Sequence, residues 1–314
     1  MRSAAIILAG LVLAACSGDA PEAESPAPTQ LEATPAPEET RDEPQFDPKA
    51  VFPKWYEPTE PFRVMDNLYY VGSRGLAVWF LPTPEGHIVI DGGAPETAAL
   101  VMSGIGKLGF DPADIAILLN THAHFDHSGG LAELKVVSGA EMIASEGDRS
   151  ALQGGFYLGS EEETVLNAPP VKVDRIIGDS EVISLGGTAL TANLTPGHSR
   201  GCTSWTLNLE EDGEVYEAVI FCSVTVAANR LIDRPQYEGI VDDYRATLAR
   251  IATWTPDVFL SNHPEFSQMA DKRAALEMGD RLAFVDRESF PAFVERMQLA
   301  FEKALEKQTE AAQK

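Results

Sequence analysis

The chain has 314 residues, 44% of them hydrophobic, which suffices for one large domain or two small ones with a full core. Its 48 acidic residues against 24 lysines and arginines leave a formal net charge of −24. That balance excludes the clustered cations by which nucleic acid is bound and disfavours electrostatic docking on an anionic membrane; it reads as a solubilising surface.

The first segment reads as an address. Arg2 supplies a positive start, and Ala4 to Ala15 form an apolar run too short to span a bilayer. The run ends in Leu13-Ala14-Ala15-Cys16-Ser17, which resembles the bacterial lipoprotein signal. That resemblance implies cleavage after residue 15, a lipid on Cys16, and a periplasm-facing envelope lipoprotein, with Ser17 permitting the outer membrane. The anchor is then the expected membrane contact. Residues 17–50 hold nine acids, two bases and seven prolines. Such a stretch cannot bury enough apolar surface to offset its ordering entropy, so residues 16–50 are expected to be a disordered tether. With Cys16 acylated, Cys202 and Cys222 remain as an even pair in an oxidising compartment, either bridged or left as buried thiols; a disulfide is the expectation.

A domain over residues 51–314 follows. Phe62 to Gly72 and Ala77 to Leu81 alternate like strands, and Ile88-Val89-Ile90 is a buried strand running into Asp91-Gly92-Gly93. Glu96 to Leu108 predicts a helix ending at Gly109. It contains a literal G-x-G-x-x-G from Gly104, but closing a helix instead of following a strand deprives that motif of its dinucleotide context. Ile115 to Leu119 predicts a strand, Leu131 to Val137 a short helix, Glu141 to Ala144 a strand, and Arg149 to Gly155 the start of a loop. Strands are expected at Lys172 to Ile177, Glu181 to Ser184, Thr188 to Asn193, Thr203 to Leu209, Tyr216 to Ser223 and Val258 to Ser261, with a turn at Glu211-Asp212-Gly213. Asp242 to Trp254 predicts a helix, and Arg281 to Lys307 a long amphipathic one interrupted at Pro291. Strands first, with helices between them, predict a layered α/β domain.

Five of the six histidines fall in three motifs that each follow a strand-like run: Thr121-His122-Ala123-His124-Phe125-Asp126-His127, Thr195-Pro196-Gly197-His198 and Asn262-His263-Pro264. Only His87 is left over. Imidazole is the commonest metal ligand, and zinc takes about four ligands from nitrogen, carboxylate or thiolate, with one position left open when it is catalytic. Four potential ligands within six residues let alternate side chains serve two neighbouring metals. The partition that follows puts His122, His124 and His198 on one Zn2+, and Asp126, His127 and His263 on the other.

The run H-x-H-x-D-H, followed about seventy residues later by P-G-H and later still by H-P, resembles the metallo-β-lactamase superfamily, over residues from about 60 to 305. Ile90-Asp91-Gly92-Gly93 is similar to the family's first motif, which implies a four-layer αββα sandwich and, for Asp91, a buried supporting role behind the ligands. Thioesterases and lactonases of this family carry a metal-bridging aspartate on the strand about twenty residues past the third histidine. Here that stretch is Ile220-Phe221-Cys222-Ser223-Val224-Thr225, without a carboxylate. His127 and Ser223 instead resemble the third subclass of class B β-lactamases. That resemblance implies a di-zinc enzyme that opens the ring of penicillins, cephalosporins and carbapenems with a metal-activated water oriented by Asp126. It further implies Ser223 and Thr225 as contacts for the substrate carboxylate, Phe156 and Tyr157 in a mobile loop over the site, a Cys202–Cys222 bridge, and a monomer. Ser199 beside His198 need not signal a serine triad. The alternatives are a hydrolase of the same fold acting on another ester, lactone or amide, and a zinc-binding lipoprotein without catalysis.

Overall fold

The computed structural model describes residues 46–313; the leader, Cys16 and most of the expected tether lie outside these residues. Seven strands form one sheet in sequence order: β1 (Phe62–Met65), β2 (Leu68–Tyr70), β3 (Trp79–Thr83), β4 (Gly86–Ile90), β5 (Ile115–Leu119), β6 (Glu141–Ser145) and β7 (Arg175–Ile177). The first four pair antiparallel, and β4 through β7 are parallel. Five strands form the second sheet, in the order β12-β11-β10-β9-β8: β8 (Val182–Leu185), β9 (Thr188–Leu194), β10 (Thr203–Glu211), β11 (Glu214–Phe221) and β12 (Val258–Ser261). The helices are α1 (Pro48–Val51), α2 (Ala98–Lys107), α3 (Phe125–Ser128), α4 (Leu131–Ser138), α5 (Glu146–Gly154), α6 (Ile240–Ile251), α7 (Met269–Glu277) and α8 (Ser289–Ala312).

The period-2 alternation of strand side chains builds the layers. Trp79, Leu81, Ile88, Ile90 and Leu119 face the second sheet, where Trp205, Leu207, Ile220 and Leu260 meet them in the central core. Their neighbours Phe80, Val89 and Leu118 point the other way, onto Val101 and Ile105 of α2, Leu134 of α4 and Leu152 of α5. Val219, Phe221 and Phe259 leave the second sheet toward Tyr244 and Leu248 of α6 and Phe290, Phe293 and Phe301 of α8. Helix, sheet, sheet, helix is the expected four-layer α/β sandwich. The leftover His87 belongs to this scaffold: it is buried between the rings of Phe80 and Phe110, 5.2 Å from each centroid.

Several element bounds depart from the sequence expectations. The expected loop at Arg149 to Gly155 is the second half of α5. Glu146 and Asp148 favour its N-terminus, Ala151 and Leu152 supply its buried face, and Gly155, in the left-handed region at φ 71°, caps it. Pro291 does not interrupt α8 but sits in its first turn, where a missing N–H leaves no hydrogen bond unmade. Phe62 to Gly72 is a hairpin, turned at Asp66 with φ 49°, and only Arg175–Ile177 of the expected strand at 172–177 joins the sheet. Helix α1 begins three residues ahead of the expected domain boundary, and α7 was not expected at all. Among the described residues, no helix is long and apolar enough to cross a membrane.

One buried charge ties the sheets at their edge. The Glu211 side chain, at the end of β10, is 1% exposed and accepts from Arg63 Nη2 of β1 at 2.7 Å and from Arg281 Nε at 2.9 Å. The Arg63 bonds, with Arg281 adding to them against burial, pull its carboxyl from 4.5 down to about 2. A depressed carboxyl contributes stability that is complete above its unfolded value and is lost as pH falls through the folded one. Glu211→Gln should therefore lower unfolding stability at pH 7 by about 1–2 kcal/mol, the partners being half-exposed arginines. The difference from the parent should vanish as pH drops from 4.5 toward 2, as checked by urea melts across that range.

Candidate metal centre

All three histidine motifs leave the carboxyl end of a strand, where open α/β sheets place their ligands. His122 and His124 follow β5, His198 follows β9, and His263 follows β12. The chain between β9 and His198 turns at Gly197, with φ 136°; a Cβ there would lie 2.9 Å from the Tyr244 ring, so the motif needs glycine before its histidine. Asp126 and His127 stand on the single turn of α3, directly after His124.

The six expected donors converge. His122, His124 and His198 present ring nitrogens within 4.8 Å of one another, and His122, Asp126 and His127 form a second such group. His127 Nε2 lies 3.2 Å from His263 Nε2 and 3.2 Å from Asp126 Oδ2, and His263 Nε2 lies 3.5 Å from the same oxygen. Hydrogen bonding fixes the tautomers. His198 Nδ1 must donate to the Thr225 carbonyl at 2.6 Å, since a carbonyl only accepts, so its Nε2 carries a lone pair. Thr121 Oγ1 gives its proton to Asp91 Oδ2 at 2.8 Å, which leaves it to accept from His122 Nδ1 at 3.1 Å. His122 Nδ1 also faces Asn262 Nδ2 at 3.3 Å, and His122 Nε2 lies 3.2 Å from His198 Nε2.

Asp91 lies behind the histidine cluster. It is fully buried, accepts from Thr121 N at 2.7 Å and Asn120 Nδ2 at 3.2 Å, and lies 3.8 Å from His127 Nδ1. Its backbone is strained, with φ 68° on a non-glycine residue, and burial raises its carboxyl to about 6. Burial is also the leading cause that drives His122 and His124 well below the usual histidine value, His198 to about 4 and His263 to about 3. Burial opposes the shifts of Asp126 and His127, but their mutual attraction outweighs it, holding Asp126 well below the carboxylate range and His127 above the histidine one. Four neutral imidazoles and an ionised carboxylate form a donor set suited to divalent metal.

The substrate-side residues divide. Ser223 and Thr225, beyond β11, pair their hydroxyls at 3.1 Å, with Thr225 Oγ1 3.2 Å from His198 Nδ1. Tyr157 is buried, stacks on His124 at 4.2 Å, and donates its hydroxyl to Asn229 Oδ1 at 2.9 Å. Phe156, by contrast, packs against the helix-side core under α5. The two residues follow the end of α5 in a pinned turn: Gln236 Nε2 donates to the Leu158 carbonyl at 2.7 Å and Arg230 holds Ser160 and Gly159. Cys202 and Cys222 are bridged, Cα–Cα 5.9 Å. Ser199 Oγ donates to Asp148 at 2.8 Å, not to a histidine, so no serine triad is assembled. Sequence reasoning missed Asp148 and Asn229. Asn229 donates to the His198 carbonyl at 2.8 Å and to Tyr244 at 3.1 Å. A cavity of about 880 Å³ lies elsewhere, between Trp55, Phe62, Arg74, Pro264 and α7, and none of the six donors lines it.

Residues 73–209 match the metallo-β-lactamase superfamily. The subclass B3 metallo-β-lactamase BJP-1 of Bradyrhizobium japonicum is 45% identical, with a TM-score of 0.81 over 82% of this chain and 98% of that one. FEZ-1 of Legionella gormanii is 35% identical, with a TM-score of 0.77 over 81% of this chain and 98% of that one. The acyl-coenzyme A thioesterase MBLAC2 of Gallus gallus is 29% identical over 210 residues, 60% of this chain and 71% of that protein. The chain belongs to the metallo-β-lactamase superfamily. Among its structural neighbours, BJP-1 is a subclass B3 enzyme of that family.

A metal that binds the folded site and not the unfolded chain stabilises by linkage. Zn2+ at one hundred times its Kd should add about 2.7 kcal/mol, read as a rise of about 5–10 °C in the melting temperature. A chelator should reverse it; a melting temperature indifferent to both would exclude metal binding by the folded protein.

Proposed function

We propose that the protein is a di-zinc β-lactamase of the subclass B3 type, opening the lactam ring of penicillins, cephalosporins and carbapenems. The observation that carries this reading is the pair of buried ligand sets, His122/His124/His198 and Asp126/His127/His263, beside hydroxyls and not a bridging carboxylate at the end of β11. The likeness to BJP-1 and FEZ-1 supports it.

When bound, the zinc pair would supply Lewis-acid polarisation of the carbonyl and a water acidified from about 15.7 toward 7. The chain's own residues do the rest. Asp126, held ionised by His127 and His263, accepts a hydrogen bond from the attacking water and orients it toward the ring. Ser223 and Thr225 offer their hydroxyls to the substrate carboxylate, which is positioning more than chemistry. Tyr157 seals the wall beside His124 and keeps stray water out. Ser199, committed to Asp148, is not presented to His198 as a nucleophile.

The thioesterase likeness favours a second reading, a same-fold hydrolase of acyl esters or lactones. Nitrocefin, a carbapenem, an acyl-thioester and a homoserine lactone assayed side by side separate the two. His122→Ala and Asp126→Ala should each lower β-lactam turnover by at least about 10³-fold with the circular dichroism spectrum unchanged. Near-full activity in either variant, or intact β-lactams with the zinc-loaded parent, would sink the proposal.

The envelope location belongs to the same proposal. The lipoprotein-type signal before Cys16 supports an acylated, periplasm-facing anchor, and a disulfide at Cys202–Cys222 suits an oxidising compartment. The chain would act as a monomer on its tether. Mass spectrometry of the N-terminal peptide checks the anchor: an unmodified Cys16, or a retained leader, would refute it.

A further inference from the structure

We infer that Asp148, on the first turn of α5, is a positioning residue that sets the metal affinity of the His122/His124/His198 triad. It does so by clamping together the two loops that carry the triad. The inference rests on the reading of those imidazoles as one ligand set, but not on the identity of the substrate.

The triad is drawn from two sheets. His122 and His124 follow β5 of the first, and His198, 76 residues on, follows β9 of the second. Nothing local in either loop fixes the distance between them, yet a tetrahedral site tolerates little error in it. One carboxylate spans the gap. Asp148 Oδ2 accepts from Ala123 N at 2.9 Å, the peptide between His122 and His124. The same oxygen accepts from Ser199 Oγ at 2.8 Å, one residue past His198, and Oδ1 accepts from Gly201 N at 2.8 Å.

The surroundings are shaped for that contact. A Cβ on Gly147 would lie 2.4 Å from the Arg200 carbonyl, and one on Gly201 would lie 2.3 Å from Asp148 N. Only two facing glycines let the start of α5 reach the His198 loop backbone to backbone. Ser145 Oγ donates to the Gly201 carbonyl at 2.6 Å and closes the same seam. Asp148 is 2% exposed, and the cavity it shares with His124, His198 and Asn229 measures about 10 Å³, room for one water at most. No substrate reaches it there. It acts through the ligands' neighbours.

A carboxylate suits the task because it accepts from all three donors and donates nothing. An amide of the same shape offers one acceptor oxygen and turns an NH2 group on a donor. Residues that orient metal ligands in this way typically change affinity about 10- to 100-fold when replaced.

The test is a titration of the metal-free protein with Zn2+ against a chromophoric chelator, alongside thermal melts of the metal-free forms. Asp148→Asn should weaken the tighter Zn2+ equivalent by about 10- to 100-fold. Ser199→Ala, which removes one of the three donors and leaves both backbone bonds, should weaken it by about fivefold with the metal-free melting temperature unchanged. Wild-type Zn2+ affinity in folded Asp148→Asn overturns the inference, as does a lower melting temperature with affinity intact. If Asp148→Asn does not fold, Ser199→Ala decides alone, and unchanged affinity there overturns it. A parent that binds Zn2+ yet spares every β-lactam would refute the proposed function and leave this inference standing.

Discussion

The Nε2 atoms of His122 and His198 stand 3.2 Å apart in a buried cleft. That closeness suits a pair of donors to one cation, and much of the fold is organised to impose it. Burial strips the imidazoles of protons, the Thr225 carbonyl takes the one His198 keeps on Nδ1, and the Thr121–Asp91 pair takes the one on His122. Each of these partners sits on backbone anchored at a strand end. A scaffold that gathers donors in advance leaves less to be reorganised when an ion binds.

The same logic explains why the walls are tied so firmly. Asn229 joins Tyr157, the His198 carbonyl and Tyr244 through one side-chain amide, while Gln236 and Arg230 staple residues 158–160 to the chain beyond β11. The turn after α5 is thus braced to the His198 loop. Tyr157 has its ring on His124 and its hydroxyl committed. Stacking and hydrogen bonding fix one imidazole plane from outside while Asp148 fixes its backbone from behind.

How much of this was legible in the sequence depended on the range of the interactions. The strands ending at Leu119 and Ser261, and the donors just past them, could be read because an apolar run and a ligand-rich loop are adjacent in the chain. The layered fold followed from period-2 alternation, as in Trp79, Phe80 and Leu81, which face different cores. Helix α5 could not be read, because its polar first turn and terminal glycines look like a loop unless one knows that Ala151 and Leu152 are covered. Asp148 was invisible for a related reason. Its partners lie 25 to 53 residues away, and an acid in a helix first turn already has a local explanation. Phe156 and Tyr157 are adjacent in sequence but go to the core and to the site respectively, a division that only the direction of the chain leaving α5 decides.

Charge explains why hydroxyls at the end of β11 suit the proposed substrate. Of the six donors, Asp126 alone is anionic, so a loaded pair of divalent ions would leave the centre strongly positive. A second carboxylate at Ser223 or Thr225 would cancel part of that charge within a few ångströms of the metals, where Coulomb energies are largest. It would also repel a substrate carboxylate arriving at the same place. Ser223 and Thr225 offer hydrogen-bond donors without that opposing charge. On a chain with a formal net charge of −24, a cationic centre would be a local exception to the overall charge that an anionic antibiotic meets. A locally cationic cleft lined with neutral donors would then both attract and select an anionic substrate, which supports the proposed lactamase reading beside the ligand sets that carry it.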